Sequence, residues 1–235
     1  MRIAVISDVH ANAEALKAVL AEVEKRPPDA AVFLGDLVMN GPQPLEAFEL
    51  MRSLNPCIWI KGNTDNWFDE IDGGFVPADE REQHIVALFE YAKKRLQKDK
   101  IDFLRALPEK RVLYCGGKRI LCVHGSPRRV NEPIGPMTSE KDLEDMVGNM
   151  AADILLCGHT HRRFETEVCG KRIINAGAVS LGAGTSFGIL EIEEDIASYT
   201  HHTVEYDTEA VIKDAEKRGF PGVTAYAMKL RDGVT

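Results

Sequence analysis

Short apolar runs alternate with amphipathic stretches along the first half of the chain. Runs rich in β-branched and other large apolar residues predict buried strands, and such runs occur at 2–7, 31–35, 57–62, 120–123 and 153–158. Asn12 follows the first run and is placed to cap a helix over about 13–26, in which Leu16, Val19 and Val23 share one face. A second predicted helix, over about 45–51, separates the next two runs. This β-α-β-α-β order predicts parallel strands joined by right-handed crossovers.

Residues 64–108 interrupt the alternation because they contain no strand-like run. An irregular stretch with Trp67, Phe68 and Phe75 opens the segment, and helical sequence follows over about 80–97 and 101–107. Long segments of this kind inside a compact fold often serve as lids over a functional site. We therefore predict that residues 64–108 form a helical cap insertion, with at least one of the three aromatic residues near the mouth of a pocket.

The second half of the chain is richer in strands. A Gly116-Gly117 turn joins runs at 110–115 and 119–123 as a hairpin, and a helix is predicted near 140–146. Further strand-like runs lie at 164–168, 172–175, 186–192 and 198–206, before a helix over about 208–218. Residues from about 221 onward carry no clear pattern. Together, these elements predict an α/β fold in one domain spanning residues 1–235. The expected architecture is a four-layer α-β-β-α sandwich of two mixed sheets.

The composition is that of a folded, acidic protein. A chain of 235 residues with 44% hydrophobic content can bury a substantial core. The net charge of −8 argues against binding of long nucleic acid or a polybasic contact with a membrane, and no apolar stretch approaches the roughly 18 residues of a membrane span. The five cysteines are odd in number and form no Cys-x-x-Cys pair. This usage predicts reduced thiols and a cytoplasmic location.

Each of the five apolar runs ends at residues whose side chains can bind a metal ion. Ligands of α/β folds gather at the carboxyl ends of such strands, and donors two residues apart point to the same side of an extended segment. We therefore predict that seven donors converge at one edge of the sheets: Asp8, His10, Asp36, Asn63, His124, His159 and His161. His84, His201 and His202 lack this strand-end context, and we interpret them as ordinary hydrogen-bonded residues.

The number and type of these donors bear on the metal. One zinc ion takes about four ligands, whereas seven mixed carboxylate, imidazole and amide donors fit two ions about 3.5–4 Å apart that share a carboxylate. Because the set contains no cysteine, it suits manganese, iron, zinc, cobalt or nickel, and the sequence does not choose among them.

Five short motifs in this order resemble those of the calcineurin-like metallophosphoesterase superfamily. They are Asp8-x-His10, Gly35-Asp36-x(4)-Gly41, Gly62-Asn63, His124-Gly125 and Gly158-His159-x-His161. Within the superfamily the chain looks like the small prokaryotic phosphodiesterase branch. The features that suggest this branch are Gly41-Pro42, the Leu-Arg-Ala-Leu-Pro segment at 104–108 and the His-Gly-Ser-Pro segment at 124–127.

The resemblance implies a function and a role for each donor. By position, Asp8, His10 and His161 would bind one metal ion, whereas Asn63, His124 and His159 would bind the other. Asp36 would bridge both ions. The nucleophile would be a water that bridges the metals, and the metals with Asn63 would hold the phosphoryl oxygens in the transition state. The expected activity is phosphodiester hydrolysis on a small phosphorylated substrate.

The chain departs from the superfamily pattern at two positions. The residue after the motif asparagine is commonly a histidine paired with an acidic residue, but here it is Thr64, followed by Asp65. Asp65 is therefore the one protein group considered as a catalytic candidate, and protonation of the leaving group is expected to be weak. Ser/Thr phosphatases carry an arginine where this chain has Asn40. Asn40, Asn63 and Arg128 are the candidate substrate contacts.

Three alternatives to a phosphodiesterase stay open at this point. The first is a Ser/Thr or nucleotide phosphatase, which the absent arginine disfavours. The second is a nuclease on short oligonucleotides, since the acidic charge argues only against long DNA. The third is a non-catalytic interaction scaffold built on the same fold. Such scaffolds tend to lose metal ligands, whereas this chain has all seven.

Overall fold

The computed structural model describes residues 1–180 and 185–232 and contains two five-stranded mixed sheets. Within this described part, the strands are β1 (Arg2–Ile6), β2 (Ala30–Phe33), β3 (Ile58–Trp59), β4 (Lys110–Cys115), β5 (Lys118–Val123), β6 (Ile154–Cys157), β7 (Phe164–Val168), β8 (Lys171–Asn175), β9 (Thr185–Glu193) and β10 (Ile196–Val204). The helices are α1 (Ala13–Glu24), α2 (Pro44–Leu54), α3 (Trp67–Glu70), α4 (Glu80–Lys93), α5 (Lys98–Arg105), α6 (Glu140–Val147), α7 (Thr208–Lys217) and α8 (Val223–Asp232).

The first sheet has the strand order β10-β9-β1-β2-β3 and the second the order β4-β5-β6-β8-β7. The predicted parallel opening is confirmed, because β1 pairs in parallel with β2 and β2 with β3. The predicted hairpin between β4 and β5 is also present. The late strands are divided between the sheets: β7 and β8 extend the second, whereas β9 pairs antiparallel with β1 and brings β10 to the edge of the first.

Alternation along β1 explains the layering. Ile3 and Val5 pack in one apolar cluster with Ile120 and Leu156 of the second sheet, so the two sheets face each other. The intervening residues of β1 point the other way, into a cluster that contains the apolar faces of α1 and α2. On the far side, α6 packs against the outer face of the second sheet. A strand period of two thus buries both faces of β1, and the predicted four-layer α-β-β-α sandwich is confirmed.

Helix α1 begins where the sequence predicts, since the Asn12 side chain accepts a hydrogen bond from the Ala15 N–H at 3.0 Å. Two helices have no counterpart in the sequence-based prediction. Helix α3 is a single turn, too short for periodicity to reveal. Helix α8 lies in the C-terminal stretch that carries no clear pattern, and only Tyr226 and Ala227 of its residues are buried. Its position depends on tertiary contacts.

Residues 64–108 contain the three helices α3, α4 and α5, and part of the segment belongs to the body of the protein. Phe68, Phe89 and Leu104 lie in the same apolar cluster as α1 and α2, and the Tyr91 hydroxyl donates to the Pro42 carbonyl oxygen at 3.0 Å. These contacts fix α3, α4 and α5 on the sandwich. In the described part of the chain, no helix has both the length and the apolar character needed to cross a bilayer.

Candidate active site

The strand-end loops have an unusual backbone at the predicted metal donors. Five of the seven have positive φ angles: Asp8 (55°), His10 (47°), Asp36 (61°), His159 (69°) and His161 (57°). Such conformations cost a non-glycine residue about 1–3 kcal/mol and persist where the surroundings enforce them. Here the β1–β2 pairing continues past the strands, with the His10 N–H donating to the Asp36 carbonyl oxygen at 3.0 Å. Strain at so many donors is typical of a functional site.

Two glycines permit the close approach of these loops. A Cβ added at Gly62 would lie 2.1 Å from Asp36 Oδ1, and one added at Gly158 would lie 2.0 Å from Ser7 Oγ and 2.5 Å from Asp8 Oδ2. Because side chains cannot approach that closely, Asn63 and His159 reach the site only when glycine precedes them. This gives a physical reason for the Gly-Asn and Gly-His pairs of the sequence motifs.

Gly158→Ala is expected to weaken metal binding by about 10–100-fold, the effect of disturbing residues that orient ligands. The new methyl group must displace Ser7 or the Asp8 carboxylate. Titration calorimetry with Mn²⁺ measures the change. Gly170→Ala is the control, since Gly170 also has a positive φ of 67° but has open space around its Cβ position. Equal metal affinities of the two variants would show that the Gly158 contact does not shape the site.

The two aspartates are each held through one oxygen. Asp8 Oδ2 accepts hydrogen bonds from Ser7 Oγ at 2.5 Å and the His159 N–H at 3.1 Å, and Asp36 Oδ1 accepts one from the Thr64 N–H at 2.9 Å. Within the described residues, Asp8 Oδ1 is buried and accepts no hydrogen bond. It lies 3.3 Å from His161 Nε2. The remaining oxygen of each carboxylate is thus directed toward the imidazoles.

The imidazoles face the same point. His10 Nε2 lies 3.0 Å from His161 Nε2 and 3.7 Å from Asp36 Oδ2. His124 Nδ1 lies 2.8 Å from the Leu34 carbonyl oxygen, which fixes it as the protonated nitrogen and directs Nε2 toward Asp36 Oδ2 at 3.5 Å. Burial lowers the pKa of His10 to about 4. Burial opposes charge on His124 too, but the nearby carboxylates of Asp36 and Asp8 raise its pKa to about 10.

The donors form two overlapping groups. The ligand atoms of Asp8, His10 and His161 lie within 4.8 Å of one another, and so do those of Asp8, Asp36 and His124. Two further donors adjoin the second group: Asn63 Oδ1 is 3.0 Å from His124 Nε2, and the His159 ring centroid is 5.2 Å from that of His124. All seven predicted donors are therefore brought together. The set fits divalent metal ions, because its oxygen and nitrogen atoms converge and a buried carboxylate oxygen has no other partner.

Asp65, the catalytic candidate, faces the backbone of neighbouring loops. Its carboxylate accepts hydrogen bonds from the N–H groups of Gly62 at 2.8 Å, Asp36 at 2.9 Å and Leu37 at 3.3 Å. Burial and the charge of Asp36 raise the pKa of Asp65 to about 6. The contacts tie the loop after β2 to the loop after β3, which holds Asp36 and Asn63 in place.

A cavity of about 440 Å³ adjoins the donors. The candidate substrate contacts Asn40 and Asn63 both line it, together with Thr64, Trp67 and the donor His161. Trp67 therefore agrees with the expectation of an aromatic residue near a pocket mouth, whereas Phe68 is buried in the core.

Arg128 is not brought together with Asn40 and Asn63. Its guanidinium binds Glu132, with Nη2 2.6 Å from Oε1, and it lines a separate cavity beside Thr160 and Arg162.

The lining of the first cavity also contains residues outside the set of predicted donors and substrate contacts. Arg81, His84, Ile85 and Leu88 line it from α4, and Lys229 lines it from α8. The four α4 residues follow the i, i+3, i+4, i+7 spacing of one helix face, so periodicity could have grouped His84 with Arg81. Nothing in the sequence marks Lys229, because its helix has no clear pattern.

Comparisons with known proteins agree with this geometry. The model of the calcineurin-like phosphoesterase superfamily domain matches residues 1–195. An uncharacterized protein of Methanocaldococcus jannaschii is 32% identical over 181 residues, which cover 76% of this chain and 70% of the relative.

Solved structures extend the likeness to the whole chain. A metallophosphoesterase from Sphaerobacter thermophilus matches with a TM-score of 0.80 and 29% identity, covering 100% of this chain and 99% of the other. A hypothetical protein from Pyrococcus horikoshii shares the fold with a TM-score of 0.83 and 20% identity, over 100% and 99% of the two chains. Motifs, fold and site agree with the family match. The chain therefore belongs to the calcineurin-like phosphoesterase superfamily and is a metal-dependent hydrolase of phosphoric esters.

Proposed function

We propose that this phosphoesterase is a phosphodiesterase that uses two divalent transition-metal ions, with manganese, iron, zinc, cobalt and nickel as candidates. The proposal depends mainly on the carboxylates of Asp8 and Asp36. In each, one oxygen accepts hydrogen bonds from the protein, and the other is directed at the imidazoles of His10 and His124. Seven converging donors exceed the shell of one four-coordinate ion. Two ions account for all of them.

The proposed assignment is the one that the family resemblance implies, and Asp36 Oδ2, which lies 3.7 Å from His10 Nε2 and 3.5 Å from His124 Nε2, supports a shared Asp36. Asp8, His10 and His161 hold one ion; Asn63, His124 and His159 hold the other; and Asp36 contributes to both. The close approach of the first three supports the first assignment, and the short distance from Asn63 to His124 supports the second. Such ions, when bound, supply Lewis-acid stabilisation of the phosphoryl oxygens and an activated water as nucleophile.

The chain's own polar groups favour a diester. Asn40 and Asn63 line the cavity with neutral amides, and Arg128 is engaged by Glu132. A monoanionic diester needs less positive charge from the protein for its binding than a dianionic monoester does. The substrate we propose is therefore a small phosphodiester, and the net charge of −8 argues against long nucleic acid. Cys115, Cys122 and Cys157 are free and buried, which supports a reducing, cytoplasmic location.

Elemental analysis after metal loading is expected to give close to two ions per chain. Turnover then tests the ester class with two substrates that share a leaving group, methyl 4-nitrophenyl phosphate and 4-nitrophenyl phosphate. The diester is expected to react faster. A single bound ion would overturn the two-metal assignment, and faster turnover of the monoester would favour a phosphatase. Bound metal without turnover of either ester would favour the scaffold alternative.

A further inference from the structure

One wall of the cavity, formed by α4, α8 and the turn between α7 and α8, lies partly outside the segment that the family model matches. The family match ends at residue 195, whereas Phe220, Pro221, Tyr226 and Lys229 line the cavity from the turn between α7 and α8 and from α8 itself. The other part of the wall is the face of α4 that carries Arg81 and His84. A helix inside the family match and a C-terminal segment beyond it thus both contribute to the lining of the cavity.

This wall is firmly attached to the body. The Phe220 ring packs edge-on against Tyr91 of α4 at 5.1 Å between centroids, and the Arg95 guanidinium donates to the Arg218 carbonyl oxygen at 3.1 Å. At the turn, Gly222 has a φ of 69°, and a Cβ there would lie 2.5 Å from His84 Cε1. The turn therefore lies directly against α4. A preformed wall of this kind is typical of a small-molecule site.

The charge of the cavity is opposite to that of the protein. The chain has a net charge of −8, yet among the described residues none of the side chains that line this cavity is acidic. Arg81 and Lys229 form no ion pair with any described residue, whereas Arg105, Arg218 and Arg231 are each paired with a carboxylate. Two exposed cationic side chains without an ion-pair partner line one cavity, and such side chains can bind an anionic group.

The rest of the lining is apolar. Trp67, Ile85, Leu88, Phe220 and Pro221 contribute to it. A volume of about 440 Å³ falls within the range of roughly 300–1,000 Å³ for small-molecule pockets. Aromatic and aliphatic walls favour a flat ring, which can stack or pack against them. The lining thus combines an apolar surface with two cations.

We propose that this cavity binds the part of the substrate beyond the scissile phosphate, and that this part is a ring system bearing a second phosphate group. The ring packs between Trp67 and the Phe220–Pro221 turn, and the second phosphate binds Arg81 and Lys229. The assignment rests on the proposed function, because the donors Asn63 and His161, which also line the cavity, define where the scissile phosphate lies. The wall formed by α4 and α8 thereby determines which phosphodiesters the site binds.

Titration calorimetry with adenosine 3′,5′-bisphosphate and adenosine 5′-monophosphate tests the cavity without requiring turnover. The wild-type protein, metal-loaded and metal-free, is expected to bind the bisphosphate about tenfold more tightly, the effect of one charged contact. Arg81→Ala and Lys229→Ala are each expected to remove most of that advantage, and Lys229→Arg to keep it. Lys213→Ala removes an exposed lysine of α7 outside the cavity and is the matched control.

Two results would overturn the proposal. One is equal affinity of the wild-type protein for the bisphosphate and the monophosphate. The other is a loss of bisphosphate affinity in Arg81→Ala and Lys229→Ala no larger than that in Lys213→Ala. Failure to hydrolyse methyl 4-nitrophenyl phosphate would instead contradict the proposed phosphodiesterase activity, while the calorimetric comparison would still decide the ligand of the cavity.

Discussion

Asp36→Asn is expected to lower kcat/KM for methyl 4-nitrophenyl phosphate by at least about 10³-fold and to reduce the bound metal from two ions to one or none. The substitution keeps the size of the side chain and an oxygen that can accept from the Thr64 N–H. It replaces Oδ2, which faces both His10 and His124, with an amide nitrogen that cannot bind a cation. Metal-ion catalysis contributes several kcal/mol, and each 1.36 kcal/mol is tenfold in rate.

Asp8→Asn identifies the bridging carboxylate. Asp8 belongs to both groups of close donors, so either aspartate has a position from which it could contact two ions. If Asp36 bridges, Asp36→Asn retains less metal than Asp8→Asn, which keeps one ion. The reverse pattern, measured by elemental analysis, would transfer the bridging role to Asp8. Asp72→Asn is the control for loss of an acidic charge, since Asp72 pairs with Lys93 and Arg105 away from the cavity.

The convergence of the donors could be predicted from the sequence because each donor lies within four residues after the end of a strand. Asp8 follows β1 and His124 follows β5, and the carboxyl ends of parallel strands must meet at one edge of a sheet. The backbone of such a site is also visible in the sequence, since Gly62 and Gly158 stand where a side chain would collide with a carboxylate. The positions of the donors and glycines relative to the strands along the chain therefore predict most of the metal site.

The substrate wall could not be predicted in the same way. Helix α8 has few buried residues, and its place is set by contacts that are remote in sequence, such as the apolar cluster that Tyr226 forms with Leu88 and Tyr91 of α4. Packing of this kind leaves no periodic pattern for a sequence to reveal. The same reason explains why Arg128 was selected as a substrate contact: an arginine in a loop near a motif gives no sign that Glu132, four residues later, binds it. Whether an arginine is paired with a carboxylate depends on the folded structure and cannot be predicted from the sequence pattern.

The second large effect concerns the leaving group. Thr64 stands where the superfamily pattern commonly has a histidine, and it lines the cavity together with Asn63. A plot of log kcat/KM against leaving-group pKa, for a series of methyl aryl and methyl alkyl phosphates, is expected to have a steep negative slope. Without a proton donor, alkoxide departure lacks the roughly 10²–10⁴-fold assistance that general-acid catalysis supplies. A flat plot would contradict this expectation.

Two variants test which residue, if any, donates a proton to the leaving group. Thr64→His is expected to improve turnover of alkyl esters by less than the full general-acid effect, because the neighbouring Asp65 carboxylate is occupied by three backbone N–H groups and is not free to orient the new ring. His84 is an imidazole already in the cavity, so His84→Gln is the necessary comparison. A slope that steepens in His84→Gln would show that α4 supplies a proton donor to the wild-type enzyme. An unchanged slope in His84→Gln, with a shallower one in Thr64→His, would show that position 64 controls leaving-group protonation.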